Sequence, residues 1–200
     1  MVWIEDHPSV AQPPFVIEPL TPDHKRESFR CREPALTDYL TGSKVFRDLA
    51  NFSTVVHVCA DARQVVWGYF TLHNYTIQRH ELLCSLHGPD WETPTDRAVK
   101  RRLGELRRAF PYPEVGVTLL GKLATHQLLK GTGFGAALML EMLKKVWQAA
   151  QLTASRALLL DAKNDTLVRV YEGYGFTLLS ADDRRMFLLM DTIGQLITSK

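Results

Sequence analysis

The feature that most constrains this chain is a glycine-rich turn between an apolar extended run, 115–124, and a long amphipathic stretch, 134–150. The apolar run predicts a strand. In the following stretch Phe134, Leu138, Met142 and Val146 share one face of a helix. Glycines let a ligand approach the backbone, and the unpaired N–H groups and dipole of the first helical turn favour an anion. The junction therefore predicts a phosphate site, formed by Lys130, Gly131, Thr132, Gly133, Phe134, Gly135 and Ala136.

Composition narrows the class of protein. The chain has 200 residues, 46% of them hydrophobic, and a net charge of +2, so its bulk charge does not indicate a nucleic-acid binder. Cys31, Cys59 and Cys84 form no CxxC pair, which argues against a disulfide scaffold and for a reducing compartment. No leader pattern and no run of about 20 apolar residues is present, so we expect a soluble cytoplasmic protein with no membrane partner.

The order of predicted elements is β-α-ββ-α-β-α-β-α-ββ, which indicates one mixed α/β (α+β) domain over 15–200 after a flexible, proline-rich arm, 1–14. Strands are predicted over 15–17, 53–59, 65–77, 115–125, 157–160, 176–179 and 186–190. Helices are predicted over 34–50, 99–110, 134–150 and 167–174, the last ended by Gly175.

Three phosphate chemistries compete for the glycine turn. A Walker A loop places lysine after its glycines, whereas Lys130 precedes them. The spacing Gly131-x-Gly133-x-x-Ala136 fits a dinucleotide fold with Asp161 as the acidic partner, but only about 40 residues follow Asp161. Those residues are too few for two βαβαβ halves. The third possibility is acyl-coenzyme A.

Two motifs carry a resemblance that favours this third possibility. Lys130-x-x-Gly133-x-Gly135 resembles the pyrophosphate loop Gln/Arg-x-x-Gly-x-Gly/Ala of the GNAT N-acetyltransferase superfamily, with lysine at its first position. The segment from Asn164 through Tyr171 to Phe176 resembles the superfamily's Asn-x6-Tyr-x3-Gly-Phe motif. The resemblance covers about 15–190 and implies a GNAT fold. That fold is a single mixed, mostly antiparallel central sheet flanked by helices, with the acyl-CoA site at a strand splay.

The resemblance also implies roles for these residues in acetyl transfer from acetyl-CoA to an amine. The turn from Lys130 to Ala136 would hold the pyrophosphate through main-chain N–H groups. A bulged strand segment would pair with the pantetheine arm and polarise the thioester carbonyl, and by position it comprises Leu123, Ala124 and Thr125. Tyr171 would donate a proton to the departing thiolate; its alternative is a core tyrosine packed beside Val170 and Tyr174.

Other roles stay open. Asn164 either contacts the coenzyme or caps the helix that follows it. His126 and Glu114 flank the strand as candidates for the general base, and a water chain or an already neutral amine would make a base unnecessary. A metal site is not expected, although His80, Cys84 and His87 have helical spacing and His73 is near in sequence, because a structural zinc site needs four ligands.

A basic segment, 97–108, has six basic residues in twelve around an apolar stripe. It is either a solvated helix face or a contact to an RNA phosphate backbone. Its basic residues are Arg97, Lys100, Arg101, Arg102, Arg107 and Arg108.

Within the superfamily, the bacterial acetyltransferase toxins are most similar. The resemblance rests on Phe29-Arg30-Cys31 and on the segments 36–40, 65–72 and 119–124. It implies acetylation of the amino group of aminoacyl-tRNA, a small antitoxin partner and a homodimer. The alternatives are a GNAT enzyme for a small-molecule or protein amine, and a non-catalytic module that binds coenzyme A.

Overall fold

The computed structural model describes residues 14–87, 111–180 and 184–198. The strands are β1 Val16–Pro19, β2 Val55–Ala60, β3 Val66–Gln78, β4 Glu114–Thr125, β5 Ala157–Asp161, β6 Thr177–Ser180 and β7 Arg185–Leu189. The helices are α1 Pro34–Thr41, α2 Lys44–Ala50, α3 Arg79–His87, α4 Phe134–Thr153, α5 Asp165–Glu172 and α6 Met190–Thr198, with a 3₁₀ turn at Gln127–Leu129. Within these described ranges, no helix is both long and apolar enough to cross a membrane.

The strands form a mixed, mostly antiparallel sheet in the order β1-β2-β3-β4-β5-β7-β6. The described residues divide into two compact units: the first contains 14–73 and 120–146, and the second contains 74–87, 111–119, 147–180 and 184–198. This is the sheet architecture that the GNAT resemblance implies.

The first unit is built on the predicted hairpin of β2 and β3. The strands pair antiparallel from Val55 with Leu72 to Cys59 with Gly68, and β1 pairs antiparallel with the other edge of β2. Alternate residues of β2 point to a buried cluster under α1 and α2 because side chains on a strand alternate between its faces. That cluster contains Leu20, Phe29, Tyr39, Leu40, Val45, Val56, Val58, Ala60, Val66, Tyr69 and Ala124.

The residues that resemble the toxin branch meet in this cluster. Phe29 packs edge-on against Tyr69 with ring centroids 5.6 Å apart, and Tyr39 stacks on Tyr69 at 6.3 Å. The buried Tyr69 hydroxyl donates to the Leu36 carbonyl at 2.7 Å, which satisfies its polar end. The ammonium of Lys122 lies 4.2 Å from the centre of the Tyr39 ring.

The predicted helix over 34–50 is two helices. It breaks after Thr41, where Gly42 has an extended ψ of −177° and its N–H bonds the Asp38 carbonyl at 2.9 Å. The Arg26 guanidinium donates to the carbonyls of Leu40 and Gly42 and lies 4.6 Å from the centre of the Phe46 ring. These contacts satisfy the carbonyls left free at the helix end, and they come from a residue distant in sequence.

Helix α4 begins at the residue predicted, and Phe134, Leu138, Met142 and Val146 are all buried. Its start lies close to the hairpin at Gly68. A methyl group added there would lie 2.9 Å from Leu138 Cδ2 and 3.0 Å from Phe134 Cε1.

We expect Gly68→Ala to destabilise the protein by about 1–3 kcal/mol, since packed side chains must move to admit the methyl group. Urea unfolding measures the change. Gly116→Ala is the matched control, because a methyl group on Gly116 of β4 meets nothing within 4 Å. Equal stability of the two variants would show that Gly68 is not tightly packed.

The second unit has its own core. Strand β5 pairs antiparallel with β7 from Ala157 opposite Leu189 to Asp161 opposite Arg185, and β7 pairs antiparallel with β6. The core contains Ile77, Leu82, Val115, Val117, Ala157, Leu159 and Phe187. The final strand pair predicted from sequence is confirmed, although 181–183 of its turn lie outside the described residues.

Helix boundaries differ from the predictions. The helix predicted over 167–174 spans Asp165–Glu172. It begins two residues earlier than predicted because Asn164 is its N-cap, and Gly173 follows its last residue. Gly175 adopts a positive φ of 88° in the turn beyond the helix. Helices α3 and α6 were not predicted. The predicted helix 99–110 and residues 1–13 of the predicted arm lie outside the described residues.

Candidate active site

The glycine turn is approached through β4, which ends at Thr125. Of the three residues expected to face the pantetheine arm, Ala124 is buried against the hairpin core, while Leu123 and Thr125 are half-buried. His126 follows, and the 3₁₀ turn then leads to Lys130. The role of this strand end in thioester binding stays a prediction.

The turn itself requires glycine at two positions. Gly131 and Gly133 both have φ of 80°, a left-handed conformation that other residues adopt only with strain. The Thr132 side chain lies between them, donating to the Leu129 carbonyl at 2.7 Å and accepting the Phe134 N–H at 3.4 Å. Thr132 thereby satisfies the first main-chain N–H of helix α4.

Four main-chain N–H groups at this junction are left to bind something else. Those of Gly131, Gly133, Gly135 and Ala136 have no acceptor among the described residues, and all four residues are exposed. Space above the glycines is open, since a methyl group added to Gly131, Gly133 or Gly135 would meet no atom within 4 Å. Unpaired donors at a helix N-terminus with open space above them fit an anion.

Two residues of the turn contribute differently from the rest. Lys130 is exposed, and no ion pair holds its ammonium among the described residues, so it adds one positive charge beside the free N–H groups. Phe134 is 1% exposed and packs edge-on against Phe15 with ring centroids 5.1 Å apart. Its side chain therefore belongs to the core, and only its backbone remains near the anion site.

Tyr171 lies on α5 in the second unit. Burial, and then the neighbouring Tyr174, raise the pKa of Tyr171 above its ordinary value. The ring is half-buried and packs edge-on against Phe176 at 5.6 Å. The alternative of a fully packed core tyrosine does not fit, because Val170 is 47% exposed and no residue of α5 is buried.

Asn164 acts as the cap of α5. Its side-chain oxygen accepts the Leu167 N–H at 3.0 Å, as expected of asparagine at a helix N-cap. The side chain is exposed, so its amide N–H groups remain available to a ligand. A coenzyme contact by Asn164 stays a prediction.

The two candidates for the general base differ in their surroundings. His126 is buried, and both ring nitrogens are engaged: Nδ1 accepts the Leu128 N–H at 3.2 Å, and Nε2 lies 3.2 Å from the Ser28 carbonyl. A ring in that state has no free lone pair with which to take a substrate proton. Glu114, at the start of β4, is exposed. Sequence reasoning considered His126 only as a base and missed its capping role, which depends on its contacts with the Ser28 carbonyl and the Leu128 N–H.

The remaining predicted sites are simpler. Cys84 Sγ lies 3.6 Å from the His80 ring nitrogens on α3, and His73 Nδ1 lies 2.8 Å from the Ser53 carbonyl. In the described parts of the chain no three His, Cys, Asp or Glu side chains are grouped to hold a metal ion. The basic segment 97–108 lies outside the described residues.

The order of the strands in the sheet and the strand–turn–helix junction match the GNAT fold. No protein-family model matches the chain. The chain resembles bacterial acetyltransferase toxins in sequence and in fold. It is 28% identical over 170 residues to the tRNA-acetylating toxin of Mycobacterium tuberculosis, an alignment that covers 85% of this chain and 89% of that protein.

Solved structures give the same fold. AtaT complexed with acetyl-methionyl-tRNAfMet superposes with a TM-score of 0.71 at 23% identity, covering 92% of this chain and 99% of AtaT. A mutant of AtaT, bound to acetyl-CoA and the C-terminus of the antitoxin AtaR, gives 0.68 at 24% identity, with coverage of 92% and 99%. These likenesses establish the fold of the chain.

Proposed function

We propose that this protein is an acetyl-CoA-dependent N-acetyltransferase that acetylates the amino group of aminoacyl-tRNA. The observation that carries the proposal is the set of unpartnered main-chain N–H groups at Gly131, Gly133, Gly135 and Ala136, above which the space is open. The coenzyme's diphosphate is an anion of the kind that such a helix N-terminus binds. The similarity to a tRNA-acetylating toxin supports the choice of acceptor.

The coenzyme supplies the acetyl group as a thioester, and the chain's residues would act around it. The free N–H groups and Lys130 would bind the diphosphate. The end of β4 at Leu123, Ala124 and Thr125 would align the pantetheine arm and polarise the carbonyl, where one well-placed donor is worth about 3 kcal/mol.

The acceptor's nitrogen forms the new bond to the carbonyl carbon while the carbon–sulfur bond breaks. Tyr171 would supply the proton that the departing sulfur takes. The proton that the attacking nitrogen loses would pass to solvent, from which the tyrosine would regain its own. Its raised pKa keeps the hydroxyl protonated near neutral pH, as a general acid must be.

Partners and location follow from the same proposal. Charged tRNA is a cytoplasmic substrate, so we place the protein in the cytoplasm. The basic residues of 97–108 would contact the RNA phosphates. A mutant of AtaT is bound to the C-terminus of the antitoxin AtaR in one solved complex, and by analogy we propose a small protein antitoxin for this chain.

A transfer assay tests the proposal. Purified protein is incubated with labelled acetyl-CoA and a mixture of charged tRNAs, with uncharged and N-formylated tRNAs as controls that lack a free amine. We expect label only on the charged tRNAs, and a block of in vitro translation that requires acetyl-CoA. Label on small amines or protein amines but on no charged tRNA would favour a GNAT enzyme that acetylates a small-molecule or protein amine. Coenzyme binding without any transfer would indicate a non-catalytic module.

A further inference from the structure

We propose that His126 is a positioning residue for the glycine turn, and that its unprotonated Nδ1 holds the 3₁₀ turn in the geometry that directs the free N–H groups at the diphosphate. The inference rests on the proposed function, because it concerns affinity for coenzyme A. It assigns His126 no contact with the coenzyme and no part in proton transfer.

Hydrogen bonds fix the His126 ring in one tautomer. Because a carbonyl oxygen can only accept, the 3.2 Å contact with the Ser28 carbonyl places the ring proton on Nε2. Nδ1 is then free of a proton and accepts the Leu128 N–H, also at 3.2 Å. The His126 main-chain N–H donates to the Trp67 carbonyl at 2.7 Å, so this residue joins β3, the segment before α1 and the 3₁₀ turn.

Packing holds the ring in this orientation. His126 is 8% exposed and lies edge-on to Trp67 at 5.3 Å and to Phe29 at 5.8 Å between ring centroids. The indole N–H of Trp67 donates in turn to the buried Asp61 carboxylate at 3.2 Å. A ring clamped between two aromatic side chains presents Nδ1 to the 3₁₀ turn with little freedom to rotate.

The 3₁₀ turn transmits this geometry to the glycines. The Leu129 N–H donates to the His126 carbonyl at 3.0 Å, and the Lys130 N–H to the Gln127 carbonyl at 3.2 Å. The Leu129 carbonyl then accepts both the Thr132 hydroxyl at 2.7 Å and the Thr132 N–H at 3.3 Å. These hydrogen bonds link neighbouring residues in series. Loss of the bond from the Leu128 N–H to His126 Nδ1 would therefore weaken the conformation of the turn at Gly131 and Gly133.

Three variants separate the two ring nitrogens. His126→Asn keeps an acceptor near the position of Nδ1 but cannot reach the Ser28 carbonyl. His126→Gln places its amide near the position of Nε2 and leaves Leu128 without its acceptor. His126→Ala removes both interactions, so the Asn and Ala variants differ chiefly in the cap.

Coenzyme A affinity, measured by calorimetry, is the first readout. A helix cap is typically worth about 1 kcal/mol, which converts to about a fivefold change in affinity. We expect the Asn variant to bind coenzyme A within about twofold of wild type, and the Gln and Ala variants to bind it about fivefold more weakly. In each variant that folds, kcat at saturating acetyl-CoA should be unchanged. The second readout is the ring ¹⁵N NMR spectrum of the wild type, which should show Nδ1 as the unprotonated nitrogen.

The outcomes distinguish this inference from the proposed function. If the wild type binds no coenzyme A, the proposed function fails first. If the wild type binds and the Asn and Ala variants weaken equally, the cap does not position the turn and the inference is overturned. That comparison stands even where the Gln variant does not fold. A protonated Nδ1, or a fall in kcat for the Asn variant, would equally contradict the positioning role.

Discussion

Replacing Tyr171 with phenylalanine should lower kcat by about a hundredfold or more while leaving coenzyme affinity unchanged, since a general acid contributes typically 10²–10⁴-fold. The ring contact with Phe176, at 5.6 Å, does not use the hydroxyl, so the variant should fold as the wild type does. The loss should appear in kcat and not in the KM for acetyl-CoA, because the proton is needed only as the carbon–sulfur bond breaks. A transfer assay at saturating acetyl-CoA measures it.

Tyr174→Phe is the matched control, because Tyr174 is a second half-buried tyrosine in the same segment. It should retain kcat near that of wild type. The raised pKa of Tyr171 also sets the sign of the pH effect, because this tyrosine loses its proton at a higher pH than an ordinary tyrosine does. Loss of this proton should therefore not lower the wild-type rate between pH 7 and 9. Full activity in the Phe variant would mean that the leaving sulfur receives its proton elsewhere.

Replacing Gly135 with glutamate should separate folding from binding. Gly135 lies in the first turn of α4 without a positive φ, and an added Cβ meets nothing within 4 Å, so the side chain fits the free protein. Removing a helical glycine and placing a carboxylate near a helix N-terminus each stabilise by about 0.5–1 kcal/mol. Yet the carboxylate would occupy the space above the free N–H groups and repel a diphosphate. At about 4 Å and an effective dielectric constant near 20, that repulsion is about 4 kcal/mol per charge pair.

We therefore expect the Glu variant to unfold at a slightly higher temperature than wild type in the absence of ligand, and to bind coenzyme A about a hundredfold more weakly or worse. Gly135→Gln matches it in size without the charge and should lose about tenfold, the part due to bulk alone. Thermal unfolding with and without coenzyme A, together with calorimetry, gives both quantities. Wild-type affinity in the Glu variant would place the diphosphate away from this turn.

Local signals made much of this fold predictable. The strand–turn–helix junction follows from hydrophobic periodicity and from glycines that adopt positive φ, and the hairpin of β2 and β3 follows from two β-rich runs with a short polar link. The break after Thr41 did not follow, because it is completed by Arg26, which binds the carbonyls of Leu40 and Gly42 from 14 and 16 residues away. Contacts between residues so far apart in sequence produce no periodic pattern from which they could be predicted.

The candidate site divides in the same way. The glycine turn could be predicted from the spacing of its residues, and the role of Tyr171, which stays a prediction, came from the resemblance of its segment to a family motif. The state of His126 could not be predicted, since it depends on the Ser28 carbonyl 98 residues earlier and on the backbone of Leu128. A histidine beside a predicted site is naturally considered as a general base. Only its hydrogen bonds show that both of its ring nitrogens are engaged.

The aromatic cluster of Phe29, Tyr39 and Tyr69 affects what can be concluded from the similarity between this chain and the acetyltransferase toxins. These residues lie in the segments on which the resemblance to the toxin branch rests, and in the structure they fill an interior. Interior residues of that kind maintain the fold, whereas the choice among acceptor amines depends on side chains that the acceptor can touch. Two proteins with this interior in common can therefore diverge in what they modify without altering a single one of these rings.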